Sequence, residues 1–90
     1  MYIHLGQDTV IDSADIIGIF DLDTATVSKR TRDYLTMSEK SGQVVNVSYE
    51  LPKSFVVCAA KKTLENKVYI SQLSSQTLLK RSEDSENISY

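Results

Sequence analysis

The sequence has few of the residues that build disulfide frameworks, metal sites and nucleotide-binding loops. Its 90 residues include one cysteine, Cys58, one histidine, His4, and three glycines. A single cysteine cannot form an internal disulfide, which favours a reducing compartment. Metal centres need several closely spaced ligands, and phosphate-binding loops need clustered glycines. The composition therefore predicts that the chain is not an enzyme and holds no metal and no cofactor.

Long apolar runs are also absent. No stretch approaches the roughly 20 apolar residues that a helix needs to cross a bilayer. The N-terminus lacks the basic, apolar and small-residue order of a signal peptide. A hydrophobic fraction of 41% and a charged fraction of 24% are those of an ordinary soluble domain. We therefore expect a cytoplasmic protein without a membrane partner.

The residue types that often carry catalysis have simpler interpretations in this chain. His4 lies in a short apolar segment, where a structural role is the simpler interpretation. Cys58 lies in an apolar run and has no basic neighbour in sequence, which is typical of an inert core thiol. Asp21 and Asp23 are close enough to hold a cation, but capping of a following helix and solvation explain them more simply. No catalytic residue is predicted.

Positive charge is missing from the first quarter of the chain. Residues 1–23 contain five aspartates and no Lys or Arg, a net charge of −5. Residues 24–81 contain all ten Lys and Arg residues against four acidic residues, a net charge of +6. Residues 82–90 add three acidic residues. The small net charge of −2 therefore conceals segments of strong and opposite charge, which we call the charged blocks. The blocks either form an acidic and a basic face on the folded domain or interleave in space.

The stretch Asp15–Asp21 organises the predicted fold. Branched and aromatic residues dominate its centre, which predicts a β-strand. Strict alternation places Ile17 and Ile19 on one face and Ile16 and Phe20 on the other, so that both faces are apolar. Such a strand is central in its sheet, or a helix or a second subunit covers one face.

The rest of the chain divides into short strands and two helices. Residues 25–40 show helical spacing with a buried stripe from Val27 to Ser38, and Gly42 is placed to end this helix. A second, short helix begins after Ser74 or Ser75. The pattern predicts an α+β fold, a small mixed and mainly antiparallel sheet of about six short strands with two helices. The predicted strands are 2–5, 9–11, 15–21, 44–49, 54–60 and 68–71.

Residues 82–90 are polar and acidic, and they show no periodicity. We expect them to form a disordered tail. The preceding residues, 1–81, are predicted to form a single domain.

Four segments occur in one order along that domain: Met-Tyr-Ile-His-Leu-Gly at 1–6, Asp-Ile-Ile-Gly-Ile-Phe-Asp at 15–21, Pro-Lys-Ser-Phe-Val-Val at 52–57, and Tyr-Ile-Ser-Gln-Leu-Ser-Ser-Gln-Thr-Leu-Leu-Lys-Arg at 69–81. Together they resemble the bacterial extracellular matrix regulatory protein B family. The resemblance implies a cytoplasmic regulator domain of spore-forming, Gram-positive-type bacteria that is linked to control of biofilm matrix genes. It also implies kinship with the A branch of these regulators, which looks like a DNA-binding, ring-forming protein with a compact mixed sheet-and-helix subunit.

The chain departs from the A branch at the positions that resemblance would assign to DNA contact. The A branch carries arginines just before its third strand and just before the strand that follows its sharp turn. The matching positions here are Asp15 and the segment Leu51, Pro52, Lys53 and Ser54. Because phosphate contacts supply much of nucleic-acid affinity, these replacements should weaken DNA binding.

Two hypotheses of function follow. The first is an oligomeric, transcription-linked regulator that binds DNA through a basic surface. The second is a protein–protein interaction module that modulates a related regulator and has little DNA affinity of its own. For Lys29, Arg30 and Arg32 a solvated helix face is the alternative interpretation, and the clustered Lys61, Lys62 and Lys67 most simply provide solubility. The predicted DNA-binding residues are Lys29, Arg30, Arg32, Lys53, Lys80 and Arg81.

We further expect a closed homo-oligomer, most simply a ring. A domain of this size has a small core, and both faces of its central segment are apolar. The oppositely charged blocks suit head-to-tail contact between subunits. The predicted interface residues are Asp15, Ile16, Phe20 and Asp21.

Overall fold

The structure, a computed structural model, describes residues 2–60 and 65–87, with side chains described as far as residue 83. It confirms the predicted α+β class, with six strands and two long helices. Helix α1 is a single turn. The elements are β1 Tyr2–Gly6, β2 Thr9–Asp12, a 3-10 helix Ser13–Asp15, β3 Ile16–Asp21, α1 Leu22–Ala25, α2 Lys29–Lys40, β4 Val44–Asn46, β5 Ser54–Ala59, β6 Asn66–Ser71 and α3 Ser75–Asn87.

The six strands form two sheets. β1 and β2 form an antiparallel hairpin, and the other four strands form a sheet in the order β3-β5-β6-β4. β5 and β6 pair in antiparallel orientation, and the β4–β6 pair is the parallel one among the described strands. Of the two alternatives for residues 15–21, the central strand is wrong, because β3 lies at an edge of the sheet and β5 is central.

Strand β5 divides the core into two clusters, since side chains alternate along a strand. Val56 and Cys58 belong to the first cluster, with Leu78 of α3 and residues of the β1–β2 hairpin. Phe55 and Val57 belong to the second, against which α1 and α2 pack. We call the two sides of the four-stranded sheet the α3 face and the α2 face.

A β-bulge interrupts the pairing of β3 with β5. Ile16 pairs with Cys58 and Gly18 pairs with Val57, so Ile17 is an extra residue without an opposite partner. Such an insertion shifts the alternation of side chains by one position.

The bulge changes which side chains of β3 share a face. Ile16 and Ile19 pack against the first core cluster, on the α3 face. Ile17 and Phe20 lie on the α2 face, where both line one cavity. The prediction that paired Ile17 with Ile19, and Ile16 with Phe20, is therefore wrong.

The predicted single helix 25–40 is two helices with a turn between them. Asp21 caps α1 by accepting a hydrogen bond from the backbone N–H of Thr24, at 3.2 Å. The turn contains Thr26 and Val27, whose branched Cβ atoms disfavour helix. Val27 is exposed and does not belong to the buried stripe predicted for it.

The end of α2 agrees with the sequence prediction. Gly42 has a positive φ of 74°. The backbone N–H of Gln43 donates to the carbonyl of Ser38, at 2.9 Å, and that of Gly42 to Glu39, at 3.1 Å. This pair of hydrogen bonds forms a Schellman motif, for which glycine is the favoured residue.

Three boundaries in the second half differ from prediction. Strand β4 ends at Asn46, before the predicted 49, and Lys67 belongs to β6 instead of a loop. Helix α3, capped by the Ser74 hydroxyl, continues to Asn87, so residues 82–87 are helical where a disordered tail was expected. Residues 61–64 and 88–90, including Lys61 and Lys62, lie outside the described residues. No helix of the described part is long and apolar enough to cross a membrane.

Candidate interaction surface

An apolar groove lies on the α2 face, between edge strand β3 and helix α2. Its volume is about 300 Å³. The Phe20 ring stacks on that of Phe55, with 5.0 Å between centroids and 20° between planes, and this pair forms one wall. A cavity of this size is at the lower end of those that hold ligands or anchor side chains. The groove is lined by Ile17, Phe20, Phe55 and Val57 of the sheet and by Arg30, Thr31 and Tyr34 of α2.

The groove is open to solvent although its lining is apolar. Ile17 is 59% exposed and Phe20 is 42% exposed, and Tyr34 is exposed as well. Strand β3 pairs only with β5, so its other edge has no strand partner in residues 2–60 and 65–87. An unpaired strand edge beside exposed apolar side chains is a typical contact surface for another chain.

A second exposed feature is the 49–51 loop, which comprises Tyr49, Glu50 and Leu51 between β4 and β5. The side chains of Tyr49 and Leu51 are almost entirely exposed. The backbone N–H of Glu50 donates to the Ser48 hydroxyl, at 3.1 Å. The sequence placed Tyr49 in a predicted strand, whereas it lies in this loop.

The structure distributes the six predicted DNA-binding residues over both faces. Lys29, Arg30 and Arg32 lie on the first turns of α2. Lys80 and Arg81 lie on α3, which covers the opposite face. Lys53 precedes β5, and its carbonyl accepts from the backbone N–H of Leu22, at 3.0 Å. Lys53 therefore lies beside α1, at the end of the sheet where β3 ends and β5 begins.

Two of the six residues hold the main chain in place. Arg32 donates through Nη1 to the carbonyls of Thr26 and Val27, at 2.7 and 3.1 Å, and so closes the turn between α1 and α2. Arg81 donates through Nη1 to the carbonyl of His4, at 2.8 Å, and so ties α3 to β1. These structural roles were not anticipated from the sequence, because the turn and the β1–α3 contact are products of the fold.

The four predicted interface residues have different surroundings. Ile16 packs against the core, and Asp21 caps α1. Asp15 ends the 3-10 helix and lines a second cavity, whereas Phe20 is the exposed apolar residue of the four. Ile17, which sequence reasoning did not select, is more exposed than Phe20 because of the bulge.

The second cavity, of about 520 Å³, lies between the β1–β2 hairpin and strands β5 and β6. Burial, together with the nearby Asp15 carboxylate, raises the pKa of the Cys58 thiol from 9.0 to about 11. Burial also raises the pKa of Tyr69, with smaller contributions from Cys58 and Asp15. Cys58 is therefore protonated at neutral pH, as expected of an inert core thiol. In residues 2–60 and 65–87 no three His, Cys, Asp or Glu side chains form a metal-binding group.

Fold and surface together define a small α+β domain that presents an apolar groove, an open sheet edge and basic residues on the first turns of α2. A family model described as extracellular matrix regulatory protein A-like matches residues 2–81, and the chain belongs to this family. The chain is also 42% identical over 83 residues to the extracellular matrix regulatory protein B of Bacillus subtilis strain 168. That alignment covers 92% of this chain and 91% of the relative. The resemblance found in the sequence is thereby confirmed, and a role in matrix regulation is supported.

Proposed function

We propose that this chain is a homo-oligomeric, transcription-linked regulator of extracellular matrix genes that acts in the cytoplasm. The observation that carries the proposal is the open apolar groove beside the unpaired edge of β3. Burying a fully exposed large apolar side chain contributes roughly 1.5–3 kcal/mol, so covering the partly exposed Ile17, Phe20 and Tyr34 favours subunit contact. The net charge of −2 is small enough not to oppose assembly.

DNA binding is the proposed activity of the assembled form. Lys29, Arg30 and Lys53 lie towards the same end of the sheet, and their side chains form no hydrogen bond or ion pair within the described part of the chain. Phosphate contacts dominate affinity for nucleic acid, and few cations per subunit give weak binding. Repetition of the same cations around an oligomer raises the avidity without any new contact.

A second candidate function is a protein–protein module that modulates a related regulator. The observation that favours it is the use of Arg32 and Arg81 as donors to backbone carbonyls. The division of the remaining cations between two faces also limits how many can reach one duplex. In this case the groove would contact the related regulator, and DNA affinity would be low.

One pair of measurements on the purified chain tests these proposals. Light scattering coupled to size-exclusion chromatography, at micromolar concentration, gives the mass, and a subunit mass of 10.1 kDa would contradict the oligomer. A gel shift at low and at moderate salt then tests DNA binding. Retention at low salt that weakens steeply with salt supports DNA binding by the oligomer. An oligomer without retention at low salt supports the interaction module.

A further inference from the structure

We propose that the 49–51 loop of one subunit docks into the apolar groove of a second copy of the chain, in a head-to-tail contact. The inference rests on the proposed homo-oligomer and specifies its interface. Loop and groove are two exposed apolar features, each with more than one large apolar side chain open to solvent. Their shapes are complementary, because the loop is exposed to solvent and the groove is concave.

The loop is held at both ends and only its middle projects. The backbone N–H of Val47 donates to the carbonyl of Ile70, and that of Lys53 donates to the carbonyl of Ser71, both at 2.9 Å. Pro52 further restricts the returning segment, because its ring fixes φ. A preorganised loop loses little conformational entropy on docking, which favours its use as an anchor.

Loop and groove complement each other in charge as well as in polarity. The loop carries Glu50 between the apolar residues Tyr49 and Leu51. The groove is apolar apart from Thr31 and the cation of Arg30. The Glu50 carboxylate and the Arg30 guanidinium form no ion pair or hydrogen bond within residues 2–60 and 65–87. Docking would bring them together, and the apolar side chains would supply most of the affinity.

The geometry of the subunit makes the contact intermolecular. The loop follows β4, and β3 lies at the opposite edge of the four-stranded sheet. No residue of the loop lines the groove of its own subunit. A surface that fits a different surface on a second copy gives a heterologous interface, which closes into a ring when the rotation per subunit permits. Arg30 then serves the subunit contact, and Lys29 and Lys53 remain available for phosphates.

Disulfide trapping tests the contact directly. The single-cysteine additions Ile17→Cys and Tyr49→Cys are prepared separately, unfolded, mixed, refolded together and oxidised with copper phenanthroline. We expect a disulfide-linked dimer in the mixture and in neither protein alone, because residue 17 of one copy meets residue 49 of another. The matched control mixes Ile17→Cys with Tyr2→Cys, which is exposed on β1, outside both surfaces. Unfolding and refolding take place under reducing conditions, so that the native Cys58 is buried again when the oxidant is added.

Charge reversal provides a second and independent measurement. Arg30→Glu alone and Glu50→Lys alone should each raise the concentration at which the oligomer dissociates by about tenfold, and the double variant should restore the original mass. An oligomer whose mass resists both single variants and gives no 17–49 disulfide overturns this interface while leaving the oligomer intact. A monomeric unmodified chain overturns both the interface and the proposed homo-oligomer.

Discussion

The ring of Phe20 occupies the space above the backbone of Gly18, so that a Cβ atom at residue 18 would lie 2.7 Å from two carbons of the ring. That position lets the ring stack on Phe55 across the strand pair. Because Gly18 has no side chain, the Phe20 ring can take the position in which it forms one wall of the groove. The group that lies over Gly18 is therefore a side chain of the same strand.

The first prediction concerns this relationship. Gly18→Ala should displace the Phe20 ring and lower the free energy of unfolding by about 1 kcal/mol, because the stacked pair is lost. In a Phe20→Ala background the same substitution should be neutral or slightly stabilising, since alanine restricts the unfolded chain more than glycine does. Urea unfolding of the four proteins measures the coupling. Equal effects of Gly18→Ala in both backgrounds would contradict the proposed clash.

The second prediction compares two adjacent leucines of α3, the buried Leu78 and its exposed neighbour Leu79, which is the control. Leu78 is 0% exposed in the first core cluster, whereas Leu79 is 47% exposed. Leu78→Ala should lower the free energy of unfolding by about 2–5 kcal/mol, because it leaves a cavity. Leu79→Ala should cost less than about 1 kcal/mol. Similar costs at the two positions would show that α3 does not pack in this orientation.

The third prediction concerns a buried hydroxyl that joins the two sheets. Ser71 donates from Oγ to the carbonyl of Leu5, at 2.6 Å, and accepts from the backbone N–H of Leu73, at 3.0 Å. Ser71→Ala should lower the free energy of unfolding by about 2–3 kcal/mol, because two backbone groups lose a partner in the interior. Ser28→Ala is the control, since the Ser28 side chain forms no capping hydrogen bond and should change stability by less than about 0.5 kcal/mol.

The fourth prediction concerns pH. The folded pKa of Cys58 is raised from 9.0 to about 11, so between these values the folded state binds more protons than the unfolded state. Stability should therefore be intact below pH 9 and should fall as pH rises towards 11. Unfolding free energies measured across this window should decline less steeply in Cys58→Ala. Tyr69, whose pKa is also raised, should account for part of the remaining decline.

The same property predicts the reactivity of the thiol. In the folded chain at pH 8, Cys58 should react with a thiol reagent far more slowly than in urea. Rapid labelling under native conditions would contradict the buried, protonated state.

The fifth prediction separates DNA contact from general charge. Lys29→Glu combined with Lys53→Glu should weaken DNA retention strongly. The slope of log affinity against log salt concentration should fall in magnitude by about 1 for each phosphate contact removed. The control is Lys40→Glu combined with Lys67→Glu, which changes the net charge equally. Both control residues are exposed, and they lie towards the opposite end of the sheet, where α2 ends and β6 begins. Equal loss in both variants would indicate a diffuse charge effect instead of a binding surface.

The sequence predicted the fold class and most elements because local patterns determine them. Gly42 ended α2 and Ser74 capped α3 as expected, since each acts through hydrogen bonds with residues a few positions away. The interruption at Thr26 and Val27 had a local signal too, in two adjacent residues with branched Cβ atoms, but helical spacing on both sides obscured it.

The faces of β3 could not be predicted in the same way. Strict alternation assumes an unbroken strand, and the bulge at Ile17 arises from the register with β5, a strand almost forty residues away. The position of β3 at the edge of the sheet also depends on which strands pair, and that is not a local property of the sequence. The most exposed groove residue was therefore missed, and the roles of Arg32 and Arg81 were missed because their partners come together only in the fold.

The contact between β1 and α3 has a consequence for synthesis on the ribosome. The hairpin carrying Ile3, Leu5 and Ile11 leaves the exit tunnel before Leu78, which packs in the same core cluster and is made about 70 residues later. At typical elongation rates this interval lasts roughly 4–14 s. Until then the apolar side of the hairpin lacks its α3 cover and is available to chaperones, so the core of this domain cannot be completed before α3 has been synthesised.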